Sequence, residues 1–362
     1  MKIVTVIGAR PQFIKAAVVS MRFRAEQGIE ELLIHTGQHF DENMSQVFFD
    51  QMQIPEPAVH LGVNNMDHGA MTGKMLEGIE QVLKKESPDM VLVYGDTNST
   101  LAGALAASKL HIPLAHVEAG LRSFDMKMPE EINRILTDRV ASILFCPTKQ
   151  AVENLKREGF EHFDCEVIKT GDVMQDAALH FSAIAETDST IIHDMKLDNF
   201  VLATVHRAEN TDDPNRLSDI VSALNKINEE VKVLMPLHPR TRKLLDKHRI
   251  SPKFSVIDPV GYLDMIQLIA HAALIMTDSG GLQKEAYFFE KHCVTLREQT
   301  EWIELVEGGY NVIVGTSSDK IYKAYQEMIG KSSDFSVDLY GNGQAARSIV
   351  DTLVSKTKTI NS

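Results

Sequence analysis

Short apolar runs alternate with longer segments of helical periodicity along most of the chain. In the first half, strands are predicted at 2–8, 32–36, 89–94, 113–117 and 143–146. Continuous apolar runs of this kind are typical of strands buried on both faces of a parallel sheet. Because helical segments separate the runs, the pattern indicates right-handed crossovers and predicts the α/β fold class.

The same rhythm begins again after a polar segment at 164–172, with further strands predicted between 200 and 314. Two such series indicate two doubly wound domains, and together they contain too many strands for a single α/β barrel. We predict a first domain over 1–168 and a second over 169–344. A last helix, at about 345–362, is expected to pack back on the first domain.

Composition and charge exclude several classes of protein. The chain is 44% hydrophobic and 24% charged, which is ordinary for a globular protein and excludes a disordered chain or a coiled-coil rod. Its 37 Lys and Arg against 50 Asp and Glu give a net charge of −13, which argues against nucleic acid or an anionic membrane as a partner.

The spacing of the cysteines and the lengths of the apolar runs indicate the cellular compartment. The three cysteines, Cys146, Cys165 and Cys293, form no CxxC pair, which indicates a reducing compartment. The sequence MKIVTVIGARPQF lacks the apolar region of a signal peptide, and no apolar run is long enough to span a membrane. We therefore expect a cytoplasmic protein.

Charged residues follow the predicted strands of the first half, where ligands bind in open parallel sheets. In GARPQFIK at 8–15, a helix N-terminus together with Arg10 and Lys15 predicts a phosphate or carboxylate site, although a tight turn with solvated cations fits equally well. Asp96, in GDTNST, is a candidate acid or base, but the same residue types are common helix caps.

Two more carboxylates come from the strand and helix that follow. Glu118 ends an apolar strand in HVEAGLR, where a solvated carboxylate is unexpected. Glu130 and Glu131 lie in the first turn of a helix in PEEINR, where the helix dipole favours acidic residues. That explanation suffices for Glu131 and leaves Glu118 as the stronger candidate for chemistry.

The second half has two comparable strand ends. His206 and Arg207, in VHRAEN, are a candidate acid and anion clamp. In TDSGGLQKE at 277–285, the glycine pair allows a ligand to approach the backbone, whose amides can bind a diphosphate, while Glu285 can accept hydrogen bonds from a ribose. A capped glycine turn without a ligand is the alternative.

Several other chemistries have no support in the sequence. GNGQAA at 341–346 has the spacing of a dinucleotide-binding loop but no apolar strand before it. His35 and His39 are spaced like metal ligands, but Gly37 and the preceding strand argue against one helical face. We find no Walker sequence and no G-x-S-x-G. No metal and no cofactor are therefore expected.

Seven strings of residues occur in the order found in a known family. They are GARPQFIK, HTGQHF, YGDTNSTLAGALAA, HVEAGLRS, PEEINR, VHRAEN and TDSGGLQKEA. The chain resembles the non-hydrolysing UDP-N-acetylglucosamine (UDP-GlcNAc) 2-epimerases over nearly its full length. The resemblance implies a glycosyltransferase-B-like architecture with a nucleotide-sugar cleft between two Rossmann-like domains, a UDP-sugar substrate and a homodimer.

The resemblance also implies roles for individual residues. The family's catalytic positions are occupied by Asp96, Glu118, Glu130 and His206. Its UDP-binding positions are occupied by Arg10, Lys15, Met265, Ser279, Gly280, Gly281 and Glu285, Met265 standing where an aromatic residue usually packs on uracil. Gln38, His39, Arg207 and His238 correspond to a regulatory UDP-sugar site of bacterial members.

The substrate has more than one interpretation. The first is 2-epimerisation of UDP-GlcNAc to UDP-ManNAc by UDP elimination and re-addition. Trp302 replaces a family arginine, and the resulting TEW form resembles the branch that acts on UDP-2,3-diacetamido-2,3-dideoxyglucuronate. For that uronate, Arg297 and Lys15 are candidate partners of the extra carboxylate. A glycosyltransferase, a hydrolysing epimerase or a UDP-sugar sensor are further alternatives, although the set of carboxylates argues against a sensor.

Overall fold

A computed structural model describes residues 1–38 and 54–360. The chain divides into two compact units, one formed by Met1–Ala177 with Asp338–Ser362 and the other by Ala178–Val337. The division falls inside one helix, whereas the sequence pattern predicted a boundary at 168/169. Each unit contains a single parallel sheet among the described residues, as the α/β prediction requires.

The sheet of the first unit has seven strands in the order β3-β2-β1-β4-β5-β6-β7. The strands are β1 (Lys2–Ile7), β2 (Glu30–His35), β3 (Val59–His60), β4 (Met90–Tyr94), β5 (Leu114–Val117), β6 (Ile143–Cys146) and β7 (Glu166–Lys169). The helices are α1 (Arg10–Ala25), α2 (His68–Glu86), α3 (Asn98–Lys109), α4 (Pro129–Val140) and α5 (Lys149–Arg157). Next come α6 (Val173–Asp188), which crosses into the second unit, and, at the end of the chain, α15 (Ala345–Ile360).

Close packing at the centre of this sheet places the strand ends. Every residue of β4 is buried. Helix α3 is rich in alanine and packs tightly, since a Cβ at Gly103 would lie only 3.1 Å from Val93 and 3.3 Å from Val6. The helix therefore lies directly against β1 and β4, whose carboxyl ends carry the loops of interest.

The polar segment at 164–172 contains the edge strand β7, so it is not the interruption that the sequence pattern indicated. The β7 strand pairs with β6 in parallel and is only partly buried. An edge strand has one open side and carries polar residues, which hides it from a search for apolar runs. Helix α15 contacts α1, and the side chain of Asp176 accepts hydrogen bonds from the backbone N–H groups of Ala345 and Ala346.

The sheet of the second unit has six strands in the order β10-β9-β8-β11-β12-β13. They are β8 (Phe200–Thr204), β9 (Lys232–Pro236), β10 (Ser255–Ile257), β11 (Leu274–Thr277), β12 (Cys293–Thr295) and β13 (Asn311–Ile313). The helices are α7 (Ile191–Asp194), α8 (Ala208–Thr211), α9 (Pro214–Ile227), α10 (Pro239–His248), α11 (Tyr262–His271), α12 (Gly280–Phe288), α13 (Ile303–Glu307) and α14 (Ser318–Met328). Apolar clusters cover both faces of this sheet. Within the described ranges, no helix is long and apolar enough to cross a membrane.

Candidate active site

The turns after β1 and β4 are joined by one buried side chain, Gln12. Its Oε1 accepts hydrogen bonds from the N–H groups of Gly8 (2.8 Å) and Ala9 (2.9 Å), and its Nε2 donates to the carbonyl of Tyr94 (2.8 Å). Gly8 has no room for a side chain, because a Cβ would overlap the hydroxyl of Ser99. The start of α1 is therefore held next to the turn that carries Asp96.

Lys15 and Glu118 form an ion pair at this edge of the sheet. Lys15 Nζ donates to Glu118 Oε2, and each side chain is about one-tenth exposed. A Cβ on Gly95 would lie 3.2 Å from Glu118 Oε2 and 3.4 Å from Lys15 Nζ. Gly95 itself has φ +64°. The glycine therefore lets the ion pair approach the backbone one residue before Asp96.

The backbone of Glu118 adopts an unusual conformation. Its φ is +75°, in the left-handed region that residues with a side chain rarely adopt, and its N–H donates to the carbonyl of Phe145 at 3.1 Å. The neighbouring N–H of Ala119 donates to the same carbonyl at 3.0 Å. Such strained residues cluster at functional sites, where the surrounding structure holds them.

Asp96 is paired with Arg134, a buried residue of α4. Arg134 Nη2 donates to Asp96 Oδ2, and its Nη1 donates to Glu131 Oε2 at 2.5 Å. Burial lowers the pKa of Arg134, but the charges and hydrogen bonds of Asp96 and Glu131 outweigh that effect and raise it above its ordinary value. The sequence patterns did not single out Arg134, because a charge inside an amphipathic helix has no distinctive signal.

Glu131 and Glu130 have different environments. Glu131 is buried and accepts hydrogen bonds from the N–H groups of Ser123 and Phe124, both at 2.9 Å. Burial raises the pKa of Glu131, but these backbone hydrogen bonds and Arg134 outweigh it and lower the pKa overall. Glu130 is exposed on the first turn of α4, one turn before Arg134. Glu131 therefore holds the loop before α4, whereas Glu130 presents its carboxylate to solvent.

In the second unit, the buried Asp278 joins the ends of β8 and β11. It accepts hydrogen bonds from the N–H groups of His206 and Arg207, both at 3.0 Å, and from Asn210 Nδ2 at 3.1 Å. His206 Nδ1 lies 3.3 Å from Asp278 Oδ1, and the His206 side chain is about half exposed. Asp278 therefore orients His206, a role that the sequence patterns did not reveal.

The N-terminus of α12 presents two glycines behind Ser279. Ser279 caps the helix by accepting a hydrogen bond from the N–H of Leu282. A Cβ on Gly281 would meet nothing nearer than Ser279 Oγ at 3.9 Å, whereas one on Gly280 would lie 3.2 Å from Glu301. The backbone at Gly281 is therefore open to a ligand, and a helix N-terminus attracts phosphate.

Glu285 and Met265 lie on neighbouring helices of the second unit. Glu285 is largely buried on α12. Burial raises the pKa of the Tyr262 phenol well above its usual range, and the nearby Glu285 carboxylate raises it further. Met265, one turn after Tyr262 on α11, is half-buried against the apolar cluster that also contains Ile269.

The segment around Trp302 is held by charges. Arg297 is almost fully buried, and its Nη1 donates to Glu301 Oε2 at 2.8 Å. Arg207 Nη2 lies 3.8 Å from the other oxygen of Glu301. Lys284 Nζ lies 4.0 Å from the centre of the Trp302 ring, a cation–π contact. The two cations expected to meet a uronate, Arg297 and Lys15, are thus both paired with carboxylates.

The remaining predicted residues lie in both units. Gln38 Oε1 accepts hydrogen bonds from the N–H and hydroxyl of Ser99, beside the Asp96 turn. His238 caps α10 in the second unit, and burial lowers its pKa together with the charges of His206 and Arg240. His39 lies outside the described residues. Arg10 is the first residue of α1, and its side chain also lies outside the part of the chain that the structure describes.

Comparison with known proteins identifies relatives along the whole chain. The family model "UDP-N-acetylglucosamine 2-epimerase" matches residues 21–354. The UDP-2,3-diacetamido-2,3-dideoxy-D-glucuronate 2-epimerase of Pseudomonas aeruginosa is 57% identical over 354 residues, covering 98% of this chain and 99% of the relative. The UDP-N-acetylglucosamine 2-epimerase of Methanocaldococcus jannaschii is 44% identical over 365 residues, with 98% and 99% covered.

Two solved structures also match this chain over nearly its full length. The M. jannaschii UDP-GlcNAc 2-epimerase in complex with UDP-GlcNAc and UDP superposes with a TM-score of 0.90 at 43% identity, covering 98% of this chain and 100% of that one. The Neisseria meningitidis UDP-GlcNAc 2-epimerase bound to UDP-GlcNAc gives a TM-score of 0.87 at 29% identity, with the same coverage. The motifs, the two parallel sheets and these relatives agree, and the chain belongs to the UDP-N-acetylglucosamine 2-epimerase family of isomerases.

Proposed function

We propose that this enzyme inverts carbon 2 of a UDP-activated 2-acetamido sugar and interconverts UDP-GlcNAc and UDP-ManNAc. The observation that carries the proposal is the placement of the Lys15–Glu118 pair against Gly95, one residue before Asp96. Two carboxylate-bearing turns meet there, and Glu118 is held in a strained backbone conformation. Epimerisation needs proton transfer on both faces of carbon 2, which two carboxylates can supply.

The chemistry follows from the acidity of the substrate. The proton on carbon 2 is not adjacent to a carbonyl, so direct removal is slow. When the bond between carbon 1 and UDP breaks, UDP leaves with the electron pair and carbon 1 becomes electron-deficient. A carboxylate then takes the proton from carbon 2 and a 2-acetamidoglucal forms. Return of a proton to the opposite face, with addition of a UDP oxygen to carbon 1, gives the epimer without net oxidation.

The residues of the first unit are assigned to the sugar. Asp96, Glu118 and Glu130 are the proposed acids and bases, a role typically worth about 10²–10⁴-fold in rate. Lys15 is paired with Glu118. Together with Arg10, it is proposed to neutralise the departing diphosphate.

The residues of the second unit are assigned to the nucleotide. Ser279, Gly280 and Gly281 present the open helix N-terminus for the diphosphate, and His206, oriented by Asp278, is proposed to stabilise its charge. A further assignment concerns the nucleoside: Glu285 is proposed to accept hydrogen bonds from the ribose, and Met265 to pack on the uracil. In this proposal the protein's own charges stabilise the leaving group, and no cofactor takes part in the reaction.

UDP-2,3-diacetamido-2,3-dideoxyglucuronate is the second candidate substrate. It is favoured by the name of the P. aeruginosa relative, which is 57% identical over 98% of this chain. The uronate brings an extra carboxylate. Arg297 is already paired with Glu301, and Lys15 with Glu118, so either cation would have to exchange partners to bind it.

A regulatory UDP-sugar site is proposed at Gln38, His39, Arg207 and His238. Gln38 supports this proposal through its hydrogen bonds to Ser99 beside the Asp96 turn, and Arg207 through its backbone hydrogen bond to Asp278. A ligand at Gln38 would therefore touch the segment beside Asp96, and a ligand at Arg207 would touch the segment that carries His206.

A cytoplasmic location stays a prediction from the cysteine pattern.

We further propose that the enzyme is a homodimer, for which α4 supplies the supporting surface. Its buried face is polar, whereas Ile132 and Leu136 on the same helix are 39% and 43% exposed. In the preceding loop, Phe124 and Met126 are 69% and 59% exposed. Exposed apolar patches of this kind mark protein interfaces, and a second copy of the chain is the proposed occupant.

The proposed activity is tested by steady-state kinetics with each of the two UDP-sugars. We expect conversion of UDP-GlcNAc to an equilibrium mixture with UDP-ManNAc and no release of free sugar. A kcat/KM more than about 100-fold higher for the uronate, worth about 2.7 kcal/mol, would make the uronate the substrate. Conversion of neither compound, or transfer of the sugar to an acceptor, would overturn the proposal.

A further inference from the structure

The ring of His116, on β5, is buried between two hydrogen-bond acceptors. Its Nδ1 lies 2.7 Å from Asp138 Oδ1 and its Nε2 lies 2.7 Å from the carbonyl oxygen of Gly95. A carbonyl oxygen only accepts hydrogen bonds, so Nε2 of His116 is the donor to Gly95. The geometry therefore describes a buried imidazole held between the Asp138 carboxyl group and the Gly95 carbonyl.

Asp138 is the partner that holds the other side of the His116 ring. Burial alone raises the pKa of Asp138, but its hydrogen bond to His116 and the charges of His116 and Arg122 outweigh burial and lower the pKa. Its second oxygen accepts from Arg122 Nη1 at 2.7 Å and from the N–H of Gly120 at 3.2 Å. The carboxylate thus touches both the His116 ring and the backbone two residues after Glu118.

The carbonyl that His116 holds belongs to the turn that carries Asp96. Gly95 N–H donates to the carbonyl of Val117 at 3.0 Å, so the backbone of the β4 turn is bonded to the end of β5 in both directions. Gly95 is also the contact point for the Glu118 side chain. Movement of the Gly95 peptide would therefore change the separation of Asp96 and Glu118.

The backbone after Glu118 is fixed from its other side. Gly120 has φ +79°, and a Cβ there would lie 2.5 Å from the carbonyl oxygen of Ala151. Asn154 Nδ2 donates to the Gly120 carbonyl at 3.0 Å. This segment is thus held in place, and the Gly95 peptide joins the two turns through its bonds to His116 and Val117.

We propose that His116 is a positioning residue that sets the distance between the carboxylates of Asp96 and Glu118 by donating a hydrogen bond to the Gly95 carbonyl. The inference rests on the proposed function, because it assigns those two carboxylates to proton transfer at carbon 2. His116 itself is fully buried and does not touch the substrate. It acts on kcat by placing the reacting groups, and UDP binding does not depend on it.

Two amide substitutions separate the two hydrogen bonds of the ring. The amide nitrogen of asparagine lies as many bonds from the backbone as Nδ1 of histidine, and that of glutamine as many as Nε2. His116→Asn keeps a donor for Asp138 and loses the one for Gly95. His116→Gln keeps a donor for Gly95 and loses the one for Asp138. Each variant keeps one of the two hydrogen bonds and loses the other, so a comparison of their kcat values shows on which of the two bonds the reaction depends.

The experiment measures kcat, KM, the Kd of UDP and the melting temperature for both variants of the full chain. We expect kcat to fall about 10- to 100-fold in His116→Asn and to recover to within about fivefold of the unmodified enzyme in His116→Gln. The Kd of UDP should change less than about twofold in both. Glu158→Gln, which removes the charge of a partly exposed partner of Arg122, is the control and should keep kcat.

Wild-type kcat in both variants, or equal losses of kcat that follow the loss of melting temperature, would overturn the positioning role. If His116→Asn does not fold, the glutamine variant decides alone. A kcat within fivefold of wild type then supports the inference, and any larger loss with an unchanged melting temperature contradicts it. Inactivity of the unmodified enzyme toward both UDP-sugars would contradict the proposed function instead.

Discussion

Asp278 orients His206 through both its backbone and its ring. The carboxylate accepts hydrogen bonds from the His206 N–H at 3.0 and 3.1 Å and lies 3.3 Å from Nδ1 of the ring. Asp278 is fully buried, whereas the His206 side chain is about half exposed. Asp278, which belongs to the proposed nucleotide-binding turn, therefore fixes the orientation of the His206 ring after the neighbouring strand β8.

Replacement of Asp278 by asparagine should impair this arrangement. Asp278 Oδ2 accepts from the N–H groups of His206 and Arg207 and from Asn210 Nδ2, and an amide oxygen in its place can keep these three bonds. The amide NH2 then replaces Oδ1, which accepts from the His206 N–H at 3.1 Å and lies 3.3 Å from His206 Nδ1, so the ring loses its charged partner. We expect kcat to fall about 10- to 100-fold and the Kd of UDP to rise. Kinetics and calorimetry of Asp278→Asn test this expectation, with Asp219→Asn, at an exposed residue of α9, as the control. Equal kcat and equal Kd of UDP in the two variants would refute the role of Asp278.

Gly281→Val should block the open end of α12. A Cβ added at Gly281 meets no protein atom nearer than 3.9 Å, so we expect the variant to fold. It would occupy the space above the backbone amides, and we expect UDP affinity to fall at least about tenfold. Gly73→Val, at an exposed helical glycine that also has open space, is the matched control. Equal UDP affinity in the two variants by calorimetry would exclude this helix end as the diphosphate site.

Leu136→Glu should separate the proposed dimer. The substitution puts a charge in the middle of the exposed apolar face of α4 without disturbing the buried polar face. Light scattering should give twice the 40.4 kDa chain mass for the unmodified protein and a single chain mass for the variant. Leu179→Glu, at an isolated exposed leucine of α6, should remain dimeric. An unmodified protein that is monomeric would contradict the dimer.

His35 should make the fold sensitive to acid. Burial lowers the pKa of His35 to about 4, and the nearby His60 lowers it too. The unfolded chain therefore binds more protons than the folded one between about pH 4 and 6.5, and stability falls as the pH decreases through this window. The expected loss from this residue between pH 7 and 5 is about 2 kcal/mol.

His35→Phe removes this titration and keeps an aromatic ring beside Phe13, on which His35 is stacked. We expect its urea midpoint to fall less than that of the unmodified protein between pH 7 and 5. Asp176 acts in the opposite direction in both proteins, since burial raises its pKa to about 6, so the difference between the two isolates His35. If the urea midpoints of the two proteins fall by the same amount between pH 7 and 5, His35 is ruled out as the acid-sensitive group.

The sequence predicts the architecture because buried parallel strands leave long apolar runs. The runs at 89–94 and 113–117 correspond closely to β4 and β5. The edge strand β7 was missed because it is only partly buried and leaves no apolar run in the sequence. Glu118 was found because a carboxylate after an apolar strand is unusual, whereas its left-handed backbone is set by contacts with the carbonyl of Phe145 and appears only in the fold.

The residues that support the site are less predictable. Arg134 and Asp138 lie on one face of α4, and their partners, Asp96 and His116, are far away along the chain. A polar residue on a helix is usually a solvated one, so no local pattern distinguishes these two. Asp278 is hidden in the same way, because an aspartate before a helix is commonly a cap. Only the folded chain shows these polar groups buried and paired.

The central claim, proton exchange at carbon 2 by the Glu118 turn, is tested most directly by proton NMR of the UDP-sugar reaction in D2O. The unmodified enzyme should place deuterium at carbon 2 of the product epimer. Glu118→Gln should bind UDP with unchanged affinity and exchange carbon 2 about 10²–10⁴-fold more slowly. A product epimer that retains its carbon 2 proton, or a Glu118→Gln variant with full exchange, would contradict the account.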